Sequence, residues 1–204
     1  MKRPYVISVA ALSGGGKTTI VGALTKRLNN SAVIYFDDYG DAVDIDRDIN
    51  GWSADGNDYN EWHTEPIAAD IKRLLNEPYD YIILEYPFGY LNHCVGKYID
   101  VSVFIDTPLD IALARRIMRD YTDRSKESNF GLADVDEVSL IAIDKELRFY
   151  MAHSRPTYVR AIETQRPAAD LVVDGTKSPE EIVEMIIEYL SKAEENDGVI
   201  RTRQ

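Results

Sequence analysis

The chain is poor in cysteine, in positive charge and in long apolar runs. Its 204 residues include one cysteine, Cys94, so no internal disulfide can form, and a reducing, cytoplasmic compartment is expected. Lys and Arg total 23 against 35 Asp and Glu, a net charge of −12. That balance excludes nucleic acid and anionic membrane as main partners, because both need a basic field on the protein. An anionic ligand must therefore be caught locally. The opening MKRPYVISVAALSGGGK breaks into glycines, well short of the roughly 20 apolar residues of a spanning helix, and lacks the build of a signal peptide. The three histidines, His63, His93 and His153, show no metal-ligand spacing, and Cys94 has no His or Cys partner pattern; towards a metal all four read as structural.

What is present is the composition of a globular protein. Hydrophobic residues are 45% of the chain, enough for a buried core. Tyr5 to Ala11 is a β-rich run, broken by Gly14, Gly15 and Gly16, and Ile20, Val21, Leu24 and Leu28 then recur at helical spacing. Further apolar strands are expected at Ala32–Phe36, Tyr81–Leu84, Val101–Ile105 and Leu171–Val173. Helices are expected after Pro66, after Thr107 as N-cap, over Asp134 to Met151, and from a Ser178–Glu181 capping box through Leu190. Strands alternating with helices predict an α/β fold: a three-layer, five-stranded, mainly parallel sheet with helices on both faces. One domain over 1–204 is expected, with a frayed tail from about 194. The polar stretch from Tyr39 to Glu65 is too long for an ordinary connection and reads as functional.

Ala11-Leu12-Ser13-Gly14-Gly15-Gly16-Lys17-Thr18 fits the phosphate-loop pattern GxxxxGK[ST] except for alanine at its first position. Consecutive glycines let several backbone N–H groups point into one concavity, and the following helix adds the positive end of its dipole. Ser13, Gly14, Gly15, Gly16, Lys17, Thr18 and Thr19 are the expected triphosphate contacts, with Lys17 on the terminal phosphates and the Thr18 hydroxyl on Mg²⁺. In an open parallel sheet, ligands lie beyond the C-terminal strand ends. Asp37 and Glu85 follow strands there and are the expected metal-side acids, Asp37 serving also as general base. Asp106 and Asp174 also end strands but read as turn formers and caps. Arg115, Arg116 and Arg119 share one face of a helix, a clustering that suggests a phosphate clamp.

These residues resemble the uridine kinase and nicotinamide riboside kinase branch of the P-loop small-molecule kinases, from Tyr5 to about Gly175. Ser13 to Thr19 is similar to that family's phosphate loop, and Phe36-Asp37-Asp38-Tyr39 to its strand-end Asp and aromatic. Asp58-Tyr59-Asn60-Glu61-Trp62-His63-Thr64-Glu65-Pro66 resembles its substrate segment. Phe104-Ile105-Asp106-Thr107 with Arg115-Arg116-Ile117-Met118-Arg119-Asp120 resembles its lid block. Two positions depart from the family: Ala11, and Tyr86-Pro87 where Glu85 is usually followed by glycine.

The resemblance implies a lid over about 115–135 and an acceptor pocket lined from 37–65 and the Glu85–Tyr90 loop. Asp38, Tyr39, Tyr59, Trp62, His63 and Tyr86 are its expected substrate contacts, and Tyr39, Trp52, Tyr59 and Trp62 could stack on a planar ring. The implied reaction is Mg-assisted phosphoryl transfer from ATP to a small-molecule hydroxyl, most simply a nucleoside; nicotinamide riboside and pantothenate stay open as acceptors, and a homo-oligomer stays open as an assembly. A GTPase-like switch is suggested by Asp37-Asp38-Tyr39-Gly40, which fits DxxG, but no NKxD motif accompanies it. A non-catalytic nucleotide-binding module is the remaining alternative. From Asp37 to Glu65 there are ten acids and one base, Arg47, which predicts a neutral or cationic acceptor.

Overall fold

Five short apolar runs become five strands, and the helices between them return the chain to the same end of the sheet each time. The computed structural model describes residues 3–47, 51–52, 55–121 and 137–201. Residues 122–135 of the expected lid, Asp134 at the expected helix start, residues 48–50 and 53–54 of the acceptor segment, and 202–204 of the tail lie outside them.

The strands are β1 (Tyr5–Ala10), β2 (Ser31–Tyr35), β3 (Tyr81–Glu85), β4 (Val101–Asp106) and β5 (Leu171–Asp174). They pair in parallel in the order β2-β3-β1-β4-β5. The helices are α1 (Lys17–Arg27), α2 (Glu65–Leu74), a single turn α3 (His93–Gly96), α4 (Leu109–Tyr121), α5 (Glu137–Phe149), α6 (Arg155–Ala168) and α7 (Pro179–Arg201).

Period-two alternation along β1 and β3 divides the core in two. Val6, Ile82 and Leu84 face α2 through Ile67, Ile71 and Leu74. Ile7, Val9 and Ile83 face α1 and α7 through Ile20, Leu24 and Ile186. Each such Ile or Leu, at or near zero exposure, contributes about 1.5–3 kcal/mol of transfer free energy. Among the described residues no helix is long and apolar enough to cross a membrane.

The structure corrects two expectations. The helical pattern begun at Asp134 is seen from Glu137 as α5 and passes through a wide turn at Tyr150–Ser154 into α6, which was not foreseen. Its Pro156 follows directly on that wide turn, where Ser154 and Arg155 keep helical dihedrals and the Arg155 N–H donates to the Tyr150 carbonyl. Helix α7 runs from Pro179 to Arg201. Thr107 does not cap α4: its buried hydroxyl donates to the Gly15 carbonyl at 2.9 Å, and the Pro108 carbonyl takes the first helical bond from Ala112 N. Residues 93–96 form α3 with Asn92 as cap. The Ser178–Glu181 capping box stands, with reciprocal bonds of 3.0 and 3.2 Å.

Candidate active site

The loop between β1 and α1 is shaped by what its glycines permit. Gly14 and Gly16 take φ of +81° and +99°, a region closed to most side chains. A methyl on Gly14 would lie 2.2 Å from the Ala112 carbonyl oxygen of α4, so the loop and the arginine helix touch backbone to backbone. Ala11 sits at negative φ, since Asn30 and Asn57 are the non-glycine residues with positive φ among those described. Alanine at the first loop position therefore carries no backbone strain.

Lys17 opens α1 and turns back over the loop, its Nζ donating to the Ala11 carbonyl at 3.1 Å. Burial lowers its pKa, while the charges of Glu85 and Asp37 oppose that shift and Arg119 adds to it. Thr18 Oγ1 donates to Glu85 Oε1 at 3.1 Å. The parallel register sets Tyr35 of β2 and Val9 of β1 on either side of Glu85, so Asp37, two residues past Tyr35, arrives at the same sheet end. Burial raises the Glu85 carboxyl, Lys17 and Thr18 counter it, and Asp37 and Asp38 raise it further. Lys17, Thr18, Asp37 and Glu85 thus meet at the mouth of the glycine loop. Among the described residues no group of three His, Cys, Asp or Glu could chelate a metal unaided.

The three arginines of α4 diverge. Arg115 donates to the Gly175 carbonyl at 3.2 Å and borders an open cleft of about 240 Å³ with Gly16, Thr19 and Lys177. Arg116 is half-sunk between helices, paired with Glu146 of α5 and donating to the Tyr158 hydroxyl of α6 at 3.0 Å. Arg119 pairs with Asp120 at 2.6 Å, and its charge reaches Asp37 and Lys17. The strand-end acids Asp106 and Asp174 serve structure: Asp106 pairs with Arg166 at 3.2 Å, and Asp174 accepts from the Thr176 N–H and hydroxyl.

On the acceptor side, a helical turn over Phe36–Ala42 carries Asp37, Asp38 and Tyr39 away from β2. The Tyr39 hydroxyl donates to Asp70 at 2.7 Å, and burial together with that bond raises its pKa. Phe36, Trp62, Tyr86 and Phe88 form an aromatic wall with centroids 5.1–6.2 Å apart. Trp52 and Tyr59 pack behind it edge to face and are buried, so they brace the wall from the core instead of presenting faces to a ring. Tyr86 is also fully buried. His63 lies apart at the surface, its Nε2 3.0 Å from Asp46.

Sequence reasoning missed Thr107, Gly175 and Lys177. The signal for the last two was available, since they follow the C-terminal end of β5, where ligands gather in such sheets. Thr107 had none, because its partner lies 92 residues away in the chain.

A family model described as the Phosphoribulokinase / Uridine kinase family matches residues 50–180. The uridine kinase of Borrelia hermsii is 26% identical over 190 residues, covering 82% of this chain and 85% of that protein. The uridine kinase of Limosilactobacillus reuteri is 27% identical over 209 residues and covers 84% of each. Among solved structures, a sugar kinase from Janibacter superposes with a TM-score of 0.54 at 15% identity, over 92% of this chain and 95% of that one. Shikimate kinase from Aquifex aeolicus gives 0.51 at 19%, over 91% and 96%. The structural likenesses establish the fold. With the family match extending over more than half of the chain, this protein belongs to the phosphoribulokinase / uridine kinase family and is a small-molecule kinase.

Proposed function

We propose that the protein transfers the γ-phosphoryl group of ATP to a hydroxyl of a small acceptor, a nucleoside or nucleoside-like compound. The observation that carries the reading is the convergence of Lys17, Thr18, Glu85 and Asp37 at one end of the sheet. Lys17 and the backbone amides of Gly14 to Thr19, Ser13 included, hold the β and γ phosphates; Gly14, Gly15 and Gly16 put no Cβ in the way of a phosphate, and Lys17 exchanges its Ala11 carbonyl for phosphate oxygen. The hydroxyl and carboxylate oxygens of Thr18, Glu85 and Asp37 fit Mg²⁺, a hard cation that prefers oxygen ligands and shares them with substrate phosphates. When bound, the ion neutralises charge on the phosphates. Asp37 accepts the proton of the attacking hydroxyl.

Arg115 lines the cleft beside the loop, and Arg119 stands close enough to Lys17 and Asp37 to act on their charges. Arg116 joins the phosphates only by exchanging Glu146 for them, a step that fits closure of the lid and exclusion of water. The acceptor lies against the Phe36–Trp62 side of the aromatic wall, with Asp38 and Tyr39 beside it and the buried Tyr59 and Tyr86 supporting the wall from the core, while His63 stays apart at the surface. The acid surplus of residues 37–65 favours a neutral or cationic acceptor, which keeps nicotinamide riboside beside uridine as a candidate.

The test is release of ADP from Mg-ATP across nucleosides, nicotinamide riboside, pantothenate and sugars. Uridine or nicotinamide riboside is expected to be the best acceptor, and Lys17→Met is expected to abolish transfer with the fold intact. Full activity of Lys17→Met, or a phosphorylated anion as best acceptor, contradicts the proposal. Preference for GTP over ATP with no acceptor requirement returns the switch reading, and nucleotide binding without turnover returns the non-catalytic one.

A further inference from the structure

The connection between β3 and β4 carries an asparagine whose side chain has every hydrogen-bonding site engaged. Asn92 is 1% exposed. Its Oδ1 accepts from Thr64 Oγ1 at 2.8 Å and from Val95 N at 3.3 Å. Its Nδ2 donates to the Tyr59 carbonyl at 2.8 Å and to the Trp62 carbonyl at 3.2 Å. Two donors and two lone pairs are the full complement of a primary amide. Three of the four bonds go to residues 59–64, which lie about 30 positions earlier in the chain and in a different connection. A fourth tie joins the same segments, from His93 N to Asn60 Oδ1 at 2.9 Å.

Cap duty for α3 explains the Val95 bond alone. A serine or aspartate would cap a single turn as well, yet neither offers two N–H groups for two carbonyls. The segment so held supplies the rings that reach the catalytic end of the sheet. Trp62 packs on Phe88 at 5.1 Å, and Phe88 packs on Phe36 at 5.4 Å, the residue immediately before Asp37. Tyr59 is fixed at its far end too, its hydroxyl 3.0 Å from Thr164 Oγ1 of α6.

We infer that Asn92 is a positioning residue for the acceptor: by clamping the Tyr59 and Trp62 carbonyls it sets the aromatic wall beside Asp37. The inference rests on the proposed reading that residues 37–65 face the acceptor. Among the described residues the Asn92 side chain bonds to Tyr59, Trp62, Thr64 and Val95 and to no part of the glycine loop, so its effect falls on acceptor binding and spares the nucleotide.

The chain has two tryptophans, Trp52 and Trp62, and they pack on each other at 5.8 Å within this cluster. Intrinsic tryptophan emission therefore reports on the clamped segment alone. The experiment compares wild type with Asn92→Asp, Thr64→Val and Thr64→Ser, using uridine and nicotinamide riboside as acceptors. Asn92→Asp turns two donors into an acceptor facing two carbonyls. Its KM for the acceptor is expected to rise about 10-fold or more, with KM for ATP within about twofold and a red-shifted emission, because a displacement on the order of 1 Å suffices for losses of that size. Thr64→Val removes one bond at constant volume and should give a smaller rise of about threefold; Thr64→Ser keeps the hydroxyl and should match wild type.

If Asn92→Asp does not fold, the Thr64→Val and Thr64→Ser pair decides alone. Variants that melt earlier but keep the acceptor KM within twofold reduce Asn92 to a structural residue and overturn the inference while leaving the kinase reading intact. Wild-type protein that phosphorylates no acceptor overturns both.

Discussion

Two glycine-to-alanine substitutions, eight residues apart, should move the protein in opposite directions. Gly14 has φ of +81°, and an alanine Cβ there would sit 2.2 Å from the Ala112 carbonyl oxygen. Even a 3.0 Å contact requires the loop or α4 to give by about 0.8 Å. The backbone conformation itself costs a side-chain-bearing residue about 1–2 kcal/mol. A loss near 2 kcal/mol lowers Tm by about 4–8 °C in a chain of this size. The displacement falls between the phosphate loop and the arginine helix, so kcat/KM for ATP should drop about 10²-fold.

Gly22 lies in the interior of α1 with no atom within 4 Å of an added Cβ and an ordinary φ. Alanine there removes about 0.5–1 kcal/mol of helix penalty and should raise Tm by about 1–4 °C, with activity unchanged. Thermal melts and steady-state kinetics on the two variants check both signs. A Gly14→Ala protein with wild-type Tm and kcat/KM would refute the contact between loop and α4 and, with it, the account of how the arginines are placed.

Arg115→Ala loses the bond to the Gly175 carbonyl and one wall of the cleft beside the loop; KM for ATP should rise about 10-fold with the acceptor KM unmoved, as read by varying each substrate in turn. Thr107→Val leaves the Gly15 carbonyl without its 2.9 Å donor, a loss of about 1–3 kcal/mol for a buried acceptor. Thr107→Ser keeps that bond, so nucleotide affinity, measured by calorimetry, should fall for valine and hold for serine; equal affinities would show that the hydroxyl does not shape the loop.

Much of this site was legible because its signals are local. The glycine loop, the strand-end acids Asp37 and Glu85 and the capping box of α7 each depend on residues within a few positions of one another, and short spacing is what a pattern can encode. Helix α6 escaped because Pro156 and Pro167 mimic breaks, and its buried face is thin, with Ala161 and Gln165 as its buried residues. The arginine face misled differently. Helical spacing correctly put Arg115 and Arg116 on one helix, but their guanidinium groups end at Gly175 and at Glu146, partners supplied by the turn after β5 and by α5. The four aromatics named for stacking illustrate the same limit: Trp52 and Tyr59 are buried, and only packing against Phe88 and α6 shows that they support the wall from behind.

The sequence by itself determined the fold class, the phosphate loop and the acids at the strand ends, because hydrophobic period, glycine conformational freedom and strand polarity act over short stretches of chain. The tertiary structure alone decided which cation faces the site and which is paired away, that Thr107 holds the loop, and that Asn92 joins two connections. Those assignments are choices among competing partners. A buried donor takes whichever acceptor the fold brings within hydrogen-bond reach, and no spacing along the chain encodes a neighbour 28 to 92 residues away.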